Sequence, residues 1–273
     1  MSTLYNLLLP PAYSLFALQG LRIRVEGQDN VPATGGAVIA CNHISYLDYV
    51  FVGLAVRHRR RQVRFMAKKE LFDQPVLGPM LRSMRHIQVD RDAGGSALRH
   101  GVDALRRGEL VGVFPEATIS RSFELKGFKT GAVRMAAEAG VPVVPMVNWG
   151  SHVLATKGLP RHLGRTGTPV TIAVGEPIHV APDADPLQTT EHLRDVMDEL
   201  LRAVQGEYGP MPEHLRRWEP ARSGGTAPTL EEADALDARD VAERRRRRVE
   251  KAEQAAARRA QGRPRGLPRL PKR

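Results

Sequence analysis

Asn42, His43 and Asp48 stand within seven residues in the stretch VIACNHISYLDYVF, Val38 to Phe51. An imidazole and a carboxylate five positions apart are the parts of an oriented general base. On one straight helix they would lie about 140° apart and could not touch. They meet only if His43 sits on a turn and Asp48 falls in the first turn of the next helix. The carboxylate then accepts from one imidazole nitrogen and fixes the tautomer, and the other nitrogen is left to take a proton from a hydroxyl. The same spacing also fits a histidine beside a helix start, with Asp48 favoured there by the helix dipole. Cys41, two residues before His43, is a further candidate nucleophile, although its apolar run favours an inert buried thiol. No third ligand stands near enough for a metal site to be expected.

Cations gather after other apolar runs. VFPEATISRSFELKGFKTGA, starting at Val113, carries Thr118, Ser120, Arg121, Ser122, Lys126 and Lys129 behind Pro115 and Glu116. AKKELF supplies Lys68 and Lys69, and IQVDRD places Arg91. Taken singly, each is a solvated surface cation. Taken together, a ring of Lys and Arg around a general base suits an anionic substrate that carries a reactive hydroxyl.

The elements that must hold these residues alternate along the chain. RIRVEG (22–27) alternates as a half-buried strand does, and GAVIACN (36–42) is apolar throughout, as in a strand buried on both faces. VRFMA (63–67), HIQV (86–89), LVGVF (110–114), VPVVPMVN (141–148) and VTIAV (170–174) are further predicted strands. Leu98, Val102 and Leu105 repeat at helical spacing before Gly108, Phe128 to Ala139 is helix-like up to Gly140, and Leu193 to Val204 makes one apolar stripe. Strand alternating with helix predicts an α/β domain over 22–218, built on a mixed, mainly parallel sheet flanked by helices. Sheets of this kind collect their sites at strand ends.

The flanks differ from this domain. Residues 1–21 carry no charge and are interrupted by Pro10-Pro11, which predicts two short apolar helical pieces lying in a membrane interface; the alternative is a helix packed on the domain's own core. Residues 219–273 are expected to be a linker (219–228) followed by a basic tail that is either a solvated helix or disordered, and GRPRGLPRLPKR cannot form a core. Of the net charge of +11, residues 221–273 supply +7, from 15 Lys/Arg against 8 Asp/Glu. Basic surfaces attract nucleic acid, anionic lipid and acidic small molecules alike. The tail has no aromatic residue on which a base could stack, which argues against nucleic acid. Its cations would instead reinforce docking on anionic lipid, or serve only as a solvated extension. The single cysteine excludes an intrachain disulfide.

NHISYLD resembles the first signature, NH-x4-D, of the glycerolipid acyltransferases. IQVDR resembles their second block, FPEATISRS their third and VPVVPM (141–146) their fourth, in the family's order and spacing over residues 20–180. The resemblance is strongest to the bacterial 1-acyl-glycerol-3-phosphate acyltransferase type. It implies an α/β domain at the cytoplasmic face of the cell membrane, peripheral or monotopic, with an N-terminal two-helix anchor. The implied reaction moves a fatty acyl group from acyl-CoA or acyl-ACP to the free hydroxyl of a lysophospholipid, giving phosphatidic acid in phospholipid biosynthesis. The thioester is a co-substrate, and no cofactor is implied. His43 would be the base and Asp48 its orienter, with direct attack and no acyl-enzyme. Arg91, Glu116 and Thr118 would serve the acceptor's phosphate region with Lys68 as helper, Glu116 acting on cations or backbone rather than on phosphate, and Arg121, two residues past Ile119, would stand in for the family's usual arginine.

Two residues depart from the family's usual FPEGTRS. Ala117 replaces glycine, so that a methyl opposes positive φ, and Ile119 stands where arginine would supply a planar fork. A different lysolipid or lipid alcohol therefore stays open as acceptor. The rival from another class is a non-catalytic protein that binds nucleic acid through its basic tail.

Overall fold

The computed structural model describes residues 3–89 and 95–261. The strands among them are β1 (Arg22–Glu26), β2 (Ala37–Cys41), β3 (Val63–Lys68), β4 (Ile87–Val89), β5 (Leu110–Val113), β6 (Val143–Trp149) and β7 (Pro169–Val174). The helices are α1 (Thr3–Leu18), α2 (Asp48–Val56), α3 (Lys69–Phe72), α4 (Leu77–Ser83), α5 (Ser96–Arg106), α6 (Gly131–Ala139), α7 (Ser151–Leu154), α8 (Pro186–Tyr208) and α9 (Leu230–Gln261). Every expected strand is present, within two residues at each end.

The strands form one sheet in the order β1-β7-β6-β2-β5-β3-β4. All neighbours are parallel except β6 and β7. Side chains alternate across β2, so Val38 and Ala40 enter one core while Ala37, Ile39 and Cys41 enter the other. The first core is closed by α5, α6 and α8, and the second by α2. That two-sided burial is why β2 reads as an unbroken apolar run. The parallel arrangement also puts the C-terminal ends of β2, β5 and β3 on one edge, where their loops can meet.

Helix boundaries follow local chemistry. The Asp185 carboxylate accepts from the Leu187 N–H at 2.9 Å, with Pro186 at the first position of α8. Gly140, at φ 66°, ends α6 in the left-handed conformation that glycine adopts without strain. α6 begins three residues later than its apolar pattern suggests. The Lys129 N–H donates to Pro115 O at 2.9 Å and holds that segment to the loop after β5.

Two expectations are corrected. Residues 3–18 form a single helix that runs through Pro10 and Pro11, not two pieces. Proline's fixed φ is compatible with a helix, although each proline gives up its own donor and crowds the carbonyl four residues back. The last turn of α1 packs on the domain, with the Phe16 ring stacked on Phe51 at 5.6 Å, while Leu15 and Leu18 stay exposed. Residues 219–227 are not a linker. The chain divides into compact units at 1–227 and 228–273, and Trp218, Glu219 and Ala227 are buried within the first. The Ala227 N–H donates to Glu219 O, and the Thr226 N–H donates to Arg216 O.

The second unit contains α9. Its start is a reciprocal capping box, in which the Glu232 N–H donates to Thr229 Oγ1 at 3.2 Å and the Thr229 N–H donates to Glu232 Oε2 at 2.9 Å. Of the two states expected for 230–261 the helix is the one found, and residues 262–273 lie outside the described residues. Among the described residues no helix is long and apolar enough to cross a membrane.

Candidate active site

β2 stops at Cys41, and the ladder passes to a side chain. The Asn42 carboxamide donates from Nδ2 to Asn148 O at 3.1 Å and accepts from the Asn148 N–H at 2.7 Å. It pairs with β6 as one more strand residue would, which frees the Asn42–Leu47 backbone to turn. His43 sits on that turn and Asp48 opens α2, the arrangement their spacing demands.

His43 is held at every atom except the one that could react. Its N–H donates to Glu116 Oε1 at 2.7 Å, and its carbonyl accepts from the Ser120 N–H at 2.7 Å. Its ring stacks on Phe114 at 4.2 Å, and Phe114 in turn stacks with Phe65 at 5.7 Å. Nδ1 lies 3.0 Å from Asp48 Oδ2. Nε2 has no hydrogen-bond partner among the described residues, and the side chain is 21% exposed. Because ionised Asp48 can only accept, the proton between them belongs to Nδ1, leaving Nε2 with its lone pair.

Asp48 is fully buried. Among the described residues five donors converge on it. The Ile44 and Ser45 N–H groups, each at 2.8 Å, join His43 Nδ1 at Oδ2, while Asn148 Nδ2 at 2.8 Å and Ser151 Oγ at 2.9 Å donate to Oδ1. A carboxylate offers about four lone-pair sites, so this shell suits the ionised form alone. The turn itself is clamped to the end of α7. Ser45 Oγ donates to Ala155 O at 2.8 Å, the Tyr46 N–H donates to the same carbonyl at 3.0 Å, and Thr156 Oγ1 donates to Ile44 O at 2.6 Å.

Glu116 is a brace. Its two oxygens accept from the backbone N–H groups of His43, at 2.7 Å, and Lys126, at 3.1 Å. Burial pushes its pKa up to about 8, against the opposing effect of those two donors. Burial likewise pushes the Cys41 thiol up, aided by the charges of Asp48 and Glu116, so Cys41 stays protonated and inert.

The other expected residues that the structure describes are spread along the same edge. Thr118 Oγ1 accepts from Lys126 Nζ at 3.2 Å. Lys68 ends β3 on that edge, separated from β2 by β5. Arg121 is half-buried, with its guanidinium turned to the loop at Gly158. Arg91 lies outside the described residues. Ala117 does adopt φ 61°, the conformation its methyl opposes, and Ile119 is buried. Asn148 and Ser151 were not legible as site residues, and Asn42 and Phe114 stand in the quoted motifs without a role read for them. The signal that could have exposed Asn148 is a polar residue closing an otherwise apolar, fully buried strand, since such a group must find a partner. Among the described residues no group of three His, Cys, Asp or Glu could hold a metal ion.

Residues 22–149 match the family model described as Acyltransferase. The chain is 32% identical over 184 residues to the 1-acyl-sn-glycerol-3-phosphate acyltransferase of Bacillus subtilis, covering 67% of this chain and 86% of that protein. It is 28% identical over 193 residues to the enzyme of the same name from Borreliella burgdorferi, covering 68% and 70%. In fold it is similar to the crystal structure of the 1-acyl-sn-glycerophosphate acyltransferase PlsC of Thermotoga maritima, with a TM-score of 0.56, 22% identity, and coverage of 74% of this chain and 83% of that one. The chain therefore belongs to the acyltransferase family and is an acyltransferase.

Proposed function

We propose that the protein transfers a fatty acyl group from a thioester, acyl-CoA or acyl-ACP, to the free hydroxyl of 1-acyl-glycerol-3-phosphate, forming phosphatidic acid. The observation that carries the chemistry is the His43 ring, fixed through Nδ1 by Asp48 while Nε2 keeps its lone pair. Nε2 takes the hydroxyl proton as the oxygen attacks the thioester carbonyl. The tetrahedral intermediate collapses with loss of the thiolate, and the imidazolium returns its proton to that sulfur. No protein nucleophile and no cofactor enters. The acceptor is inferred from the names of the relatives and from the cations along this edge. Lys126, beside Thr118, joins Lys68, Arg91 and Arg121 as a group that could face the phosphate, while Glu116 supports the backbone.

The same reading puts the protein on the cytoplasmic face of the membrane as a peripheral or monotopic enzyme. Leu15 and Leu18, exposed on a helix end whose Phe16 is docked, support a lipid-facing α1. The basic tail would strengthen attachment to anionic lipid by about 1 kcal/mol per cation near the surface. One observation favours a second acceptor. Ile119 is buried and offers no guanidinium to a phosphate, so a lysolipid of another headgroup, or a lipid alcohol, is the alternative. An acceptor screen decides. Labelled acyl-CoA and acyl-ACP are supplied in liposomes with lysophosphatidic acid, other lysophospholipids, glycerol-3-phosphate and phosphate-free lipid alcohols. Preference for lysophosphatidic acid is expected; transfer confined to another acceptor overturns the assignment but not the His-Asp chemistry.

A further inference from the structure

Nothing in the acyl-transfer scheme requires a polar residue in the middle of β6's buried end, yet Asn148 is there with no exposed surface. Its Nδ2 donates both to Asp48 Oδ1 at 2.8 Å and to Ser151 Oγ at 2.9 Å, and Ser151 Oγ donates to the same Asp48 oxygen at 2.9 Å. Its Oδ1 is buried without a hydrogen-bond partner. A buried amide carbonyl left unmatched costs stability. The opposite amide orientation would turn Oδ1 onto the Asp48 carboxylate, acceptor against acceptor, and so be worse. The cost is thus tied to delivering a donor to Asp48. The backbone of Asn148 is occupied separately, by the Asn42 carboxamide, which fixes where its side chain must point. Ser151 comes from the next element, the first residue of α7. Two elements about a hundred positions along the chain from His43 therefore converge on the Asp48 oxygen that His43 does not use.

We propose that Asn148 and Ser151 are positioning residues for catalysis, a donor pair that holds Asp48 ionised and turned so that Oδ2 meets His43 Nδ1. The proposal rests on the reading of His43 as general base. The pair touches neither substrate, so its loss acts through Asp48 alone. Without the two donors the Asp48 charge is less neutralised by hydrogen bonds. It then attracts a proton more strongly, whether onto itself or as imidazolium on His43. Either outcome moves the acid limb of the pH–rate profile to higher pH. The other titratable groups close enough to act on the Asp48 charge are Cys41 on β2, protonated, and Glu116 on the loop after β5, with Lys126 beside it. His152 on α7 is kept neutral by burial. None of these is altered by the substitutions below.

The test uses the full-length protein in liposomes with lysophosphatidic acid and acyl-CoA, or the best acceptor and donor from the screen. Ser151→Ala removes one donor at little steric cost, and Ser151→Thr keeps it. Asn148→Asp keeps the shape but donates only while its carboxyl is protonated. We expect kcat to fall by about 10²-fold in Ser151→Ala with KM values for both substrates nearly unchanged, an acid limb displaced upward, and recovery in Ser151→Thr. Asn148→Asp should retain activity at low pH and lose it along a new limb as the introduced carboxyl ionises beside Asp48. Wild-type kcat with an unshifted profile in both Ser151→Ala and Asn148→Asp would overturn the proposal, as would loss of folded protein without movement of either limb. His43→Ala is the control. If His43→Ala is inactive while those two variants behave as wild type, only this inference fails; if His43→Ala is active, the reading beneath it fails.

Discussion

Glu116→Gln separates the brace at the active site from its charge. In the folded protein burial lifts the Glu116 pKa from 4.5 to about 8, although the His43 and Lys126 N–H groups pull the other way. The unfolded chain loses this proton near 4.5 and the folded chain keeps it until about 8, so folding takes up a proton between those values. Stability is therefore fully present below the unfolded value and is lost as pH rises through the folded one. A rise of that size corresponds to about 5 kcal/mol in all, at about 1.4 kcal/mol per pH unit within the window. Glutamine keeps the shape and one acceptor for the His43 N–H but cannot ionise. Its NH2 faces the Lys126 N–H, a fixed cost of about 1–3 kcal/mol at every pH. Urea unfolding at several pH values from about 5 to 9 measures both proteins. The difference should shift in favour of Glu116→Gln by several kcal/mol across the window and level off above it. Parallel stability curves over that range would refute the reasoning, because Glu116 would then ionise alike in the folded and unfolded chains.

Three further outcomes follow from the same geometry. Ala117→Gly relieves a left-handed residue at φ 61°; the strain relieved, less the extra freedom of glycine in the unfolded chain, is a gain of about 0.5–1 kcal/mol, read as a Tm higher by a few degrees. Asp48→Asn turns an NH2 group onto a shell of five donors among the described residues and spoils the tautomer of His43, so kcat should fall by about 10²–10⁴ with a smaller effect on KM in steady-state assays. Cys41→Ala removes only a buried protonated thiol, so acyl transfer should stay within about twofold of wild type, and thiol reagents should leave the native protein unmodified.

The strands were legible because each is an apolar run or an alternation, and β2 announced its central place by being apolar on both faces. The His43–Asp48 geometry was legible because five residues cannot join the two groups on one helix, which forces the turn the structure contains. Asn148 and Ser151 were hidden for a different reason. Their partner is Asp48, about a hundred positions away in the chain, and no local pattern encodes a contact made by bringing β6 beside β2. Residues 219–227 read as a linker from their Gly, Ser and Pro content, yet Trp218 and Ala227 are part of the core and the polar residues bond to one another's backbone. Pro10-Pro11 suggested a break in the first helix because interior proline removes a donor and crowds the preceding turn, yet the helix runs through both.

The central claim is that His43 is the base of a direct acyl transfer. The initial rate of transfer from labelled acyl-CoA to lysophosphatidic acid, for wild type and His43→Ala at equal folded protein in the same liposomes, tests it most directly. A fall of about 10²–10⁴ with an unchanged Tm is predicted. A rate within a few-fold of wild type would contradict the account, since His152, another described histidine with one ring nitrogen fixed and the other unpartnered, is fully buried and out of a substrate's reach.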